Sequence, residues 1–554
     1  MFSRHFKLLT LGATAALTIA SATSAPAVPP RGPAIDTALM GRVVQHLSDD
    51  ELEGRAPSTA AEPKVLNYLI AQFKAAGLQP GNKGSWLQTV PTVEIIGANH
   101  SPLSISGGAA PLNFDFASDY VAASYRVTPH TEVKDADLVF VGYGINAPEL
   151  GWNDYAGTDM HGKVAVILVN DPDYAMETQD GLFKGRRMTY YGRWTYKFEE
   201  AARQGAIGAL IVHDTFPAAY GWNVVNSSWT KAQYYVQSAN DGADQTAFNG
   251  WVQKPKAEAI LAAAGKDLAA LTAAAQQKGF HAVPLGLKAS LSFDNKIRKS
   301  TSHNVIGVLP GKKAPNEYVL YSAHWDHLGR CTPDKRGDNI CNGAVDNATG
   351  VGALTALAKA NVKAGAARRT QVFMSVTLEE SGLLGSQWYA EHPVFPLKQT
   401  VGGVNMDALA PSGPAHDYSM TGGDKSDLTA LFRKALAKQG LVEAPEDSPE
   451  KGHYYRSDHF SMAKLGVPMF DIGRGIDLVN GGKAAGQAAK DDYTNNRYHQ
   501  PSDEYSAKWD WSGITQDVKL FYALGRSLAD GKTWPNWNAN DEFRSVRDKS
   551  LAGK

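Results

Sequence analysis

The chain has 554 residues, of which 43% are hydrophobic and 20% are charged. That length is too great for one simple domain, and it supplies enough apolar residues for a large core. The formal net charge is -1. No long-range electrostatic field therefore favours nucleic acid or an anionic membrane surface, and we expect no nucleic-acid partner.

The first 25 residues have the pattern of a secretory signal. Arg4 and Lys7 precede an apolar stretch over residues 8–20, and small residues follow as far as Ala25. The apolar stretch is too short to span a bilayer as a helix. We therefore predict that residues 1–25 are removed, that no integral membrane segment remains, and that the protein is exported to the periplasm or the extracellular space.

Two regions that differ in their predicted secondary structure follow the signal. Residues 36–78 predict helices, because "TALMGRVVQHLS" and "EPKVLNYLIAQFKAAGL" carry apolar residues at helical spacing. Within residues 130–285, "ADLVFVGYG" and "GKVAVILVND" predict strands, and "YKFEEAARQGAIGALIVHD" predicts a helix, a glycine break and a strand. This second region holds no cluster of possible metal ligands. We interpret it as an inserted domain that shapes or covers a site elsewhere.

The region from 290 to 530 alternates strands with helices. "EYVLYSAHWDH", "RTQVFMSVTLEE", "TVGGVNMDAL" and "VPMFDIG" predict strands, and "GVGALTALAKAN", "GLLGSQWYAEH" and "LTALFRKALAKQG" predict helices. This alternation predicts an α/β fold with a mostly parallel central sheet flanked by helices. Such sheets place their sites at the carboxyl ends of the strands. Residues 531–554 carry no clear core signal and are predicted to be a C-terminal tail.

The two cysteines, Cys331 and Cys341, lie close together in the polar segment "GRCTPDKRGDNICNG". In an exported protein this spacing favours one disulfide across a loop, with two free thiols as the alternative. A zinc–thiolate site is the weaker interpretation, because better-placed ligands are present elsewhere. The loop from Gly329 to Gly343 lies between two presumed ligands and is expected to form part of the rim of the site.

Acidic residues and histidines lie at or near the ends of the predicted strands. They are His324 and Asp326 in "YSAHWDH", Asp346 in "NGAVDNATG", Glu379 and Glu380 in "TLEES", Asp407 in "NMDAL", and His499 in the loop "RYHQPSDE". Any one of them could be a helix cap or a hydrogen-bonded structural residue. Because parallel strands bring their carboxyl ends together, we expect the whole set to converge.

A divalent cation would offset the repulsion between clustered carboxylates. Imidazole nitrogen with carboxylate oxygen, and no thiolate, suits catalytic zinc. The set exceeds the need of one open zinc site and fits two ions that share a carboxylate. Neighbouring residues at a strand end point in different directions. One of the two adjacent glutamates can therefore bind metal while the other acts as general base on the metal-bridging water. Asp326 is placed to orient His324.

The motifs "HWDH", "GAVDNATG", "TLEESGLLGS", "NMDAL" and "YHQPSDE" resemble, in this order, those of the two-zinc exopeptidases related to bacterial leucyl aminopeptidase and glutamate carboxypeptidase. The opening "HLSDDELEGRAPST" is also similar to that family. Residues 130–285 resemble a protease-associated (PA) domain. The resemblance implies a zinc-aminopeptidase fold in two stretches, 35–125 and 290–530, around a β-rich PA-like insert at 130–285.

The resemblance also implies roles for the site residues. His324 and Asp407 would hold one zinc ion, Glu380 and His499 would hold the other, Asp346 would bridge the two, and Glu379 would be the base. Tyr454 would donate a hydrogen bond to the developing oxyanion, with Tyr455 as the competing choice. A cis peptide bond is expected between Asp346 and Asn347.

Neighbouring ionisable residues receive weaker expectations. Asp458 and His459 are expected either to orient the site residues or to be structural. His327 and Glu317 are expected to be ordinary residues.

The predicted function is that of a secreted, zinc-dependent aminopeptidase that acts on peptide substrates. The closest alternative is a carboxypeptidase or dipeptidase of the glutamate carboxypeptidase type. That activity would need arginines such as Arg456 or Arg474 to bind a carboxylate. Glutaminyl cyclase-like chemistry on one zinc ion, and a non-catalytic, receptor-like binding protein, are further alternatives.

Overall fold

The structure is a computed structural model that describes residues 34–552. The predicted signal, residues 1–25, lies outside the described residues. Across residues 34–552, no helix has both the length and the apolar composition needed to cross a membrane.

Helices form where the sequence combines helical spacing with end signals. Asp36 caps the first helix by accepting a hydrogen bond from the backbone N–H of Leu39 at 2.9 Å. The second helix ends at Gly77, whose φ of 92° suits glycine. The helices are α1 (Thr37–Leu47), α2 (Glu62–Ala76), α3 (Trp194–Arg203), α4 (Thr215–Ala218), α5 (Trp222–Trp229), α6 (Lys254–Ala263), α7 (Leu268–Ala275), α8 (Gly350–Ala364), α9 (Leu384–Glu391), α10 (Leu428–Gln439), α11 (His459–Lys464), α12 (Gly482–Asn496), α13 (Trp511–Asp530) and α14 (Arg544–Ala552).

The strands are short, apart from four of eleven residues or more. They are β1 (Gln79–Pro80), β2 (Leu87–Ala98), β3 (Leu103–Ser106), β4 (Leu112–Phe114), β5 (Tyr120–Ala123), β6 (His130–Phe140), β7 (Asn146–Ala147), β8 (Trp152–Asn153), β9 (Val164–Leu168), β10 (Gly208–His213), β11 (Gln233–Val236), β12 (Phe248–Gln253), β13 (Val283–Leu309), β14 (Ala314–His324), β15 (Gly329–Arg330), β16 (Ile340–Cys341), β17 (Arg369–Val376), β18 (Thr400–Asn405), β19 (Asp417–Met420), β20 (Val442–Glu443) and β21 (Met469–Arg474). The segments that predicted strands and helices between 290 and 530 form those elements.

The central sheet of the C-terminal region is mostly parallel. Strand β14 pairs in parallel with β17 on one side and with β18 on the other, and β18 pairs in parallel with β21. Next to β17, on the side away from β14, strand β13 extends the sheet by pairing antiparallel with β17. Every residue of β17 and β18 is buried, as expected for strands covered on both faces. The predicted α/β fold class is confirmed.

Helices cover both faces of this sheet. Buried residues of α1, α2, α8 and α13 form one core cluster against one face. On the opposite face, Tyr389 of α9 and Met462 of α11 pack with Ile306, Leu320 and Met374. Burial on both faces fixes the sheet, so the loops at its carboxyl ends start from rigid positions.

The region predicted as an insert forms a second group of parallel strands. Strand β9 pairs in parallel with β6 and β10, and β10 pairs in parallel with β12. Helix α3 and strand β10 lie where the sequence predicts a helix, a glycine break and a strand. The 27-residue strand β13 pairs with β6 near its start and with β17 at its end. The predicted boundary of the insert falls within this strand, and the division into domains stays a prediction.

The C-terminal segment contributes to the core, although the sequence gives no clear core signal there. Trp537 and Phe543 are each 2% exposed, and they pack among aromatic residues of the region predicted as an insert and of the 454–460 segment. Arg547 is fully buried and donates hydrogen bonds to the carbonyl oxygens of Thr400 and Val401 at 3.0 and 3.1 Å. These apolar residues are isolated in sequence, so no periodic pattern reveals their burial.

Candidate metal centre

The register of the sheet brings the predicted site residues together. His324, the last residue of β14, lies opposite Val376, the last residue of β17. Ser322 of β14 lies opposite Asn405, the last residue of β18. The residues that follow these strands therefore emerge side by side, as expected for the carboxyl ends of parallel strands.

Asp346 lies between the two predicted histidine ligands. Its Oδ1 is 3.2 Å from Nε2 of His324, and its Oδ2 is 3.3 Å from Nε2 of His499. The predicted cis peptide bond between Asp346 and Asn347 is present. One carboxylate thus contacts two imidazoles on opposite sides, which is the arrangement expected of a bridging ligand.

The two remaining predicted ligands complete the set. Oδ1 of Asp407 is 3.3 Å from Nε2 of His324, and Oε2 of Glu380 is 3.2 Å from Nε2 of His499. We call His324, Asp346, Glu380, Asp407 and His499 the metal centre. The structure brings all five together, although they are up to 175 residues apart in the sequence.

His327 also lies at this centre, and the sequence prediction missed it. Its Nδ1 is 2.6 Å from Oε1 of Glu380. With Asp346 and Glu380 it forms one group whose ligand atoms lie within 4.8 Å of one another, and His324, Asp346 and Asp407 form a second. Asp346 belongs to both of these groups. A third group consists of His324, Glu379 and Glu380. The signal that could have found His327 is the second histidine of "HWDH".

The side chain of Asp326 is hydrogen-bonded to the backbone of Glu379 and Glu380. Oδ1 of Asp326 accepts a hydrogen bond from the N–H of Glu379 at 3.2 Å, and Oδ2 accepts one from the N–H of Glu380 at 3.4 Å. Oδ1 of Asp326 is also 3.7 Å from Nδ1 of His324. Asp326 is fully buried. It therefore ties the end of β14 to the pair of glutamates that follows β17.

The charged groups of the metal centre shift one another's pKa values. Burial and Asp346 act to raise the pKa of Glu380, but His327 and His499 outweigh them, and that pKa falls to about 2. Burial acts to lower the pKa of His499, yet Asp346 and Glu380 raise it to about 10. The cluster therefore favours positive charge at positions that face its carboxylates.

Glu379 behaves differently from its neighbour. Burial, opposed by His324, raises the pKa of Glu379 well above its ordinary value, and Asp407 and Glu380 add to the rise. Two adjacent carboxyl groups thus have pKa values shifted in opposite directions. Such a pair supplies one group that stays charged and one that can exchange a proton.

The residues present fit two zinc ions. Ligand atoms that bind one zinc ion at about 2.0–2.2 Å stand roughly 3–3.5 Å apart. The imidazole and carboxylate atoms of the metal centre are 3.2–3.3 Å apart. The donor set is nitrogen and oxygen, since both cysteines are in a disulfide. This chemistry suits zinc, and a carboxylate shared by two groups suits a pair of ions.

Two polar residues outside the predicted set position the acids of the centre. Ser457 donates a hydrogen bond to Oδ2 of Asp407 at 2.7 Å, and Asn405 donates one to Ser457 at 2.8 Å. Asp503 accepts hydrogen bonds from the N–H groups of Val345 at 2.9 Å and Asp346 at 3.1 Å. Asp503 belongs to the quoted motif "YHQPSDE", which is the signal that could have found it.

Arg55, from the N-terminal motif "EGRAPST", lies beneath the centre. It is fully buried. Its guanidinium donates hydrogen bonds to the carbonyl oxygens of Trp325 at 2.8 Å and Gly343 at 2.9 Å, and also to that of Asn342. Burial lowers the pKa of Arg55 to about 10, opposed by nearby carboxylates that include Asp326. One side chain thus joins the loops that carry His324 and Asp346.

The role of Tyr454 stays a prediction. Its ring is buried, its hydroxyl has no hydrogen-bond partner among residues 34–552, and its ring centroid is 4.7 Å from that of His459. The Tyr455 hydroxyl donates a hydrogen bond to Glu542 at 3.0 Å. Burial raises the pKa of the neighbouring Asp458 to about 7. Both carboxyl oxygens of Asp458 lack a hydrogen-bond partner within the described part of the chain.

The two arginines considered for a carboxylate-binding role differ. Arg474 is bound to Asp517 through two hydrogen bonds, at 3.1 and 3.0 Å. Arg456 has no ion pair or hydrogen bond from its side chain in the described residues. As expected, Glu317 is ordinary and pairs with Arg369 at 2.6 Å.

The predicted disulfide is present. Cys331 and Cys341 are bonded, and β15 and β16 pair beside them as a short hairpin. Gly329 donates a hydrogen bond to the carbonyl oxygen of Gly54 at 3.0 Å. A Cβ on Gly54 would lie 2.5 Å from the carbonyl oxygen of Cys341. The hairpin is therefore packed directly against the N-terminal motif.

A cavity of about 2480 Å³ opens over the metal centre. Glu379, Asp346, Asp407 and His499 line it, together with residues 228–245 of the region predicted as an insert. The walls therefore come from both regions of the chain.

The C-terminal region matches a known family. Residues 304–523 match the family model described as Peptidase family M28. A segment is 31% identical over 130 residues to the mouse protein named Aminopeptidase NAALADL1, covering 22% of this chain and 16% of that one. Another match is 29% identical over 130 residues to the Caenorhabditis elegans Glutamate carboxypeptidase 2 homolog, covering 22% of this chain and 15% of that one. The chain thus spans only about a sixth of the length of these relatives.

Solved structures are similar over most of the chain. An aminopeptidase from Aneurinibacillus sp. strain AM-1 is 20% identical with a TM-score of 0.47, covering 90% of this chain and 95% of that one. A zinc aminopeptidase from Bacillus subtilis is 18% identical with a TM-score of 0.42, covering 92% and 98%. Residues 304–523, which match the family model, include the whole metal centre, so this region of the chain is similar to peptidase family M28.

Proposed function

We propose that this protein is an exported, zinc-dependent aminopeptidase that removes N-terminal residues from peptides. The observation that carries the proposal is the convergence of the metal centre around Asp346, with the Glu379 carboxylate close to His324 and Glu380. The match of residues 304–523 to the model of peptidase family M28 supports hydrolysis of peptide bonds.

The metal centre would hold two zinc ions. His324 and Asp407 would bind one, Glu380 and His499 would bind the other, and Asp346 would bind both. Bound zinc polarises the scissile carbonyl and makes water acidic enough to attack at neutral pH. His327, 2.6 Å from Glu380, either orients that carboxylate or supplies a further ligand.

Glu379 is the proposed general base. It lines the cavity, and its backbone N–H is fixed by Asp326 at 3.2 Å. Its carboxylate would take a proton from the attacking water and deliver it to the nitrogen of the leaving amine. Asp326 would keep both Glu379 and His324 in place, because its two oxygens already contact both strand ends.

The insert is proposed to limit the size of the substrate. Several residues between 228 and 245 line the same cavity as the metal centre, so they would border a bound peptide. A folded protein surface does not enter such a cavity easily, whereas a short peptide does. The PA-like nature of this region and residues 1–25 as an export signal are both part of the proposal.

A carboxypeptidase or dipeptidase activity is the second candidate. Arg456 favours it, because this cavity-lining guanidinium has no acidic partner in residues 34–552. Arg474 does not favour it, since Asp517 already occupies its donors.

One comparison of substrates tests the proposal. The zinc-loaded protein is assayed with an aminoacyl anilide that has a free amine and with an N-acylated dipeptide, and zinc per chain is measured in the same sample. Hydrolysis of the anilide with two zinc ions per chain supports the aminopeptidase. Hydrolysis of the acylated dipeptide alone would replace it with the second candidate. One zinc ion per chain, or no hydrolysis of any peptide, would contradict the proposal and favour the cyclase-like or receptor-like alternatives.

A further inference from the structure

Two arginines of the cavity have no acidic partner. Four arginines line it: Arg193, Arg298, Arg456 and Arg474. Arg298 donates a hydrogen bond to Glu94 at 2.9 Å, and Arg474 is bound to Asp517. The side chains of Arg193 and Arg456 make no ion pair and no hydrogen bond with any residue that the structure describes.

Arg193 and Arg456 lie on the same wall of the cavity. The N–H of Arg193 donates a hydrogen bond to the carbonyl oxygen of Tyr190 at 3.0 Å. The Tyr190 ring packs against the ring of Tyr455, with centroids 6.1 Å apart. Tyr455 directly precedes Arg456 in the chain. One arginine therefore comes from the insert and the other from the catalytic region, at the place where the two regions meet.

This wall adjoins the metal centre. Ser457, the residue after Arg456, donates a hydrogen bond to Asp407 at 2.7 Å. The Tyr498 ring stacks on His499, with centroids 3.8 Å apart. Arg456 and Tyr498 line the same cavity. A group bound by Arg456 would therefore be close to the scissile bond.

Of the two arginines, Arg456 is exposed, and Arg193 is half-buried with its guanidinium 5.6 Å from the centroid of the Trp194 ring. Burial lowers the pKa of Arg193 to about 10, and the nearby charge of Arg456 lowers it further, whereas Tyr220 and Tyr455 oppose the shift. A desolvated cation is costly unless it is paired, and two cations side by side also repel. An anion between them would remove both costs, and guanidinium groups bind carboxylates with two parallel hydrogen bonds.

We propose that Arg193 and Arg456 form a subsite for a carboxylate of the substrate, so that the preferred substrates are short peptides with a free C-terminal carboxylate. This inference rests on the proposed peptidase function. It adds a substrate class, because a peptide whose amino end reaches the metal centre can place its carboxylate between the two arginines only if it is short.

The first test varies the substrate. Initial rates are measured with zinc-loaded wild-type protein on a dipeptide and a tripeptide, each as the free acid and as the C-terminal amide. A third arm uses a dipeptide amide with glutamate in the second position, whose only carboxylate is in the side chain. We expect kcat/KM for the best free acid to exceed that of its amide by about 10- to 100-fold, as for hydrogen bonds to a charged group. A comparable gain in the third arm alone would assign the subsite to an acidic side chain and contradict the C-terminal assignment.

The second test varies the protein. Arg193→Gln and Arg456→Gln should each lower kcat/KM on the free acid by about tenfold or more, mainly through KM, and leave the amide within about twofold. Arg456→Lys should restore part of the effect. Arg298→Gln is the matched control, since this cavity arginine already binds Glu94, and it should not change the ratio of acid to amide. The zinc content and unfolding temperature of each variant show whether it is folded.

The outcomes separate the subsite from the proposed function. If no peptide of either kind is hydrolysed by the zinc-loaded protein, the proposed function fails. If peptides are hydrolysed with equal kcat/KM for acid and amide, the subsite is wrong and the peptidase stands. Equal losses on acid and amide in folded, zinc-loaded arginine variants would also overturn the subsite.

Discussion

The guanidinium of Arg55 donates a hydrogen bond to the carbonyl oxygen of Gly343 at 2.9 Å. This bond joins the N-terminal motif to the loop that carries Asp346. The same guanidinium binds Trp325, the residue after His324, at 2.8 Å. The distance between two ligands of the metal centre therefore depends on a side chain that does not contact either ligand directly.

Arg55→Met should weaken both folding and zinc binding. The change leaves buried carbonyl oxygens without donors, at about 1–3 kcal/mol each. We expect the free energy of unfolding to fall by at least about 3 kcal/mol, together with faster loss of zinc to a competing chelator. Urea unfolding and zinc retention measure the two effects. Arg330→Met is the control, because its exposed pair with Glu53 is worth at most about 1 kcal/mol. Equal effects of the two changes would contradict the positioning role.

Glu379→Gln should separate metal binding from turnover. Glutamine keeps the size of the side chain but cannot accept the proton, so kcat should fall by about a hundredfold to ten-thousandfold. Zinc content should stay the same, since Glu379 lies outside the metal centre. Glu391→Gln is the control, because Glu391 lines the same cavity and belongs to no ligand group. Full activity of Glu379→Gln would show that another residue is the base.

Asp346→Asn should reduce zinc binding more than the loss of any outer ligand, because Asp346 contacts both His324 and His499. Zinc per chain, measured after dialysis against a fixed free zinc concentration, should fall for both ions. Asp338→Asn, in the exposed rim loop, is the control and should bind zinc as the wild type does. Loss of one ion alone would show that Asp346 does not bridge.

Removal of metal should destabilise the folded protein. Ions that bind only the folded state stabilise it by about 4 kcal/mol for each site at a free concentration a thousandfold above the dissociation constant. The unfolding temperature should therefore fall on chelation and recover when zinc is added back. An unfolding temperature unchanged by chelation, in a sample shown to have lost its metal, would argue against the metal centre.

The C-terminal segment should be required for folding. Glu542 and Asp541 each pair with Lys425 at 2.8 Å, and Phe543 is buried. A chain that ends at Lys532 should unfold at a markedly lower temperature or fail to accumulate, because it lacks Trp537 and Phe543 and exposes the residues that pack against them. A chain that ends at Lys549 is the control and should behave as the full chain. Similar stability of both truncated chains would contradict this role.

Most of the metal centre could be predicted because its ligands lie in short sequence motifs next to predicted strands and helices. His324, Glu379, Glu380 and Asp407 each lie at the end of a predicted strand, and Asp346 lies just before a predicted helix. The carboxyl ends of parallel strands lie at one edge of the sheet, so these residues were expected to converge. Arg55, Ser457 and Asp503 were not assigned roles, because their importance lies in contacts with residues tens to hundreds of positions away. His327 was predicted to be an ordinary residue, because a histidine three residues after another does not fit the alternating pattern of a strand.

The order of the motifs along the chain determined the α/β class, the disulfide and the candidate ligand set, since alternation of strands and helices and the identity of donor atoms are properties of the sequence itself. Only the tertiary structure decided which loops touch. It placed Arg55 next to the loops of the metal centre, gave Arg193 and Arg456 no acidic partner among residues 34–552, and buried Phe543 against the 454–460 segment. The physical reason is that packing and charge pairing depend on the distance between residues in space. For residues far apart in the chain, their separation in the sequence does not give that distance.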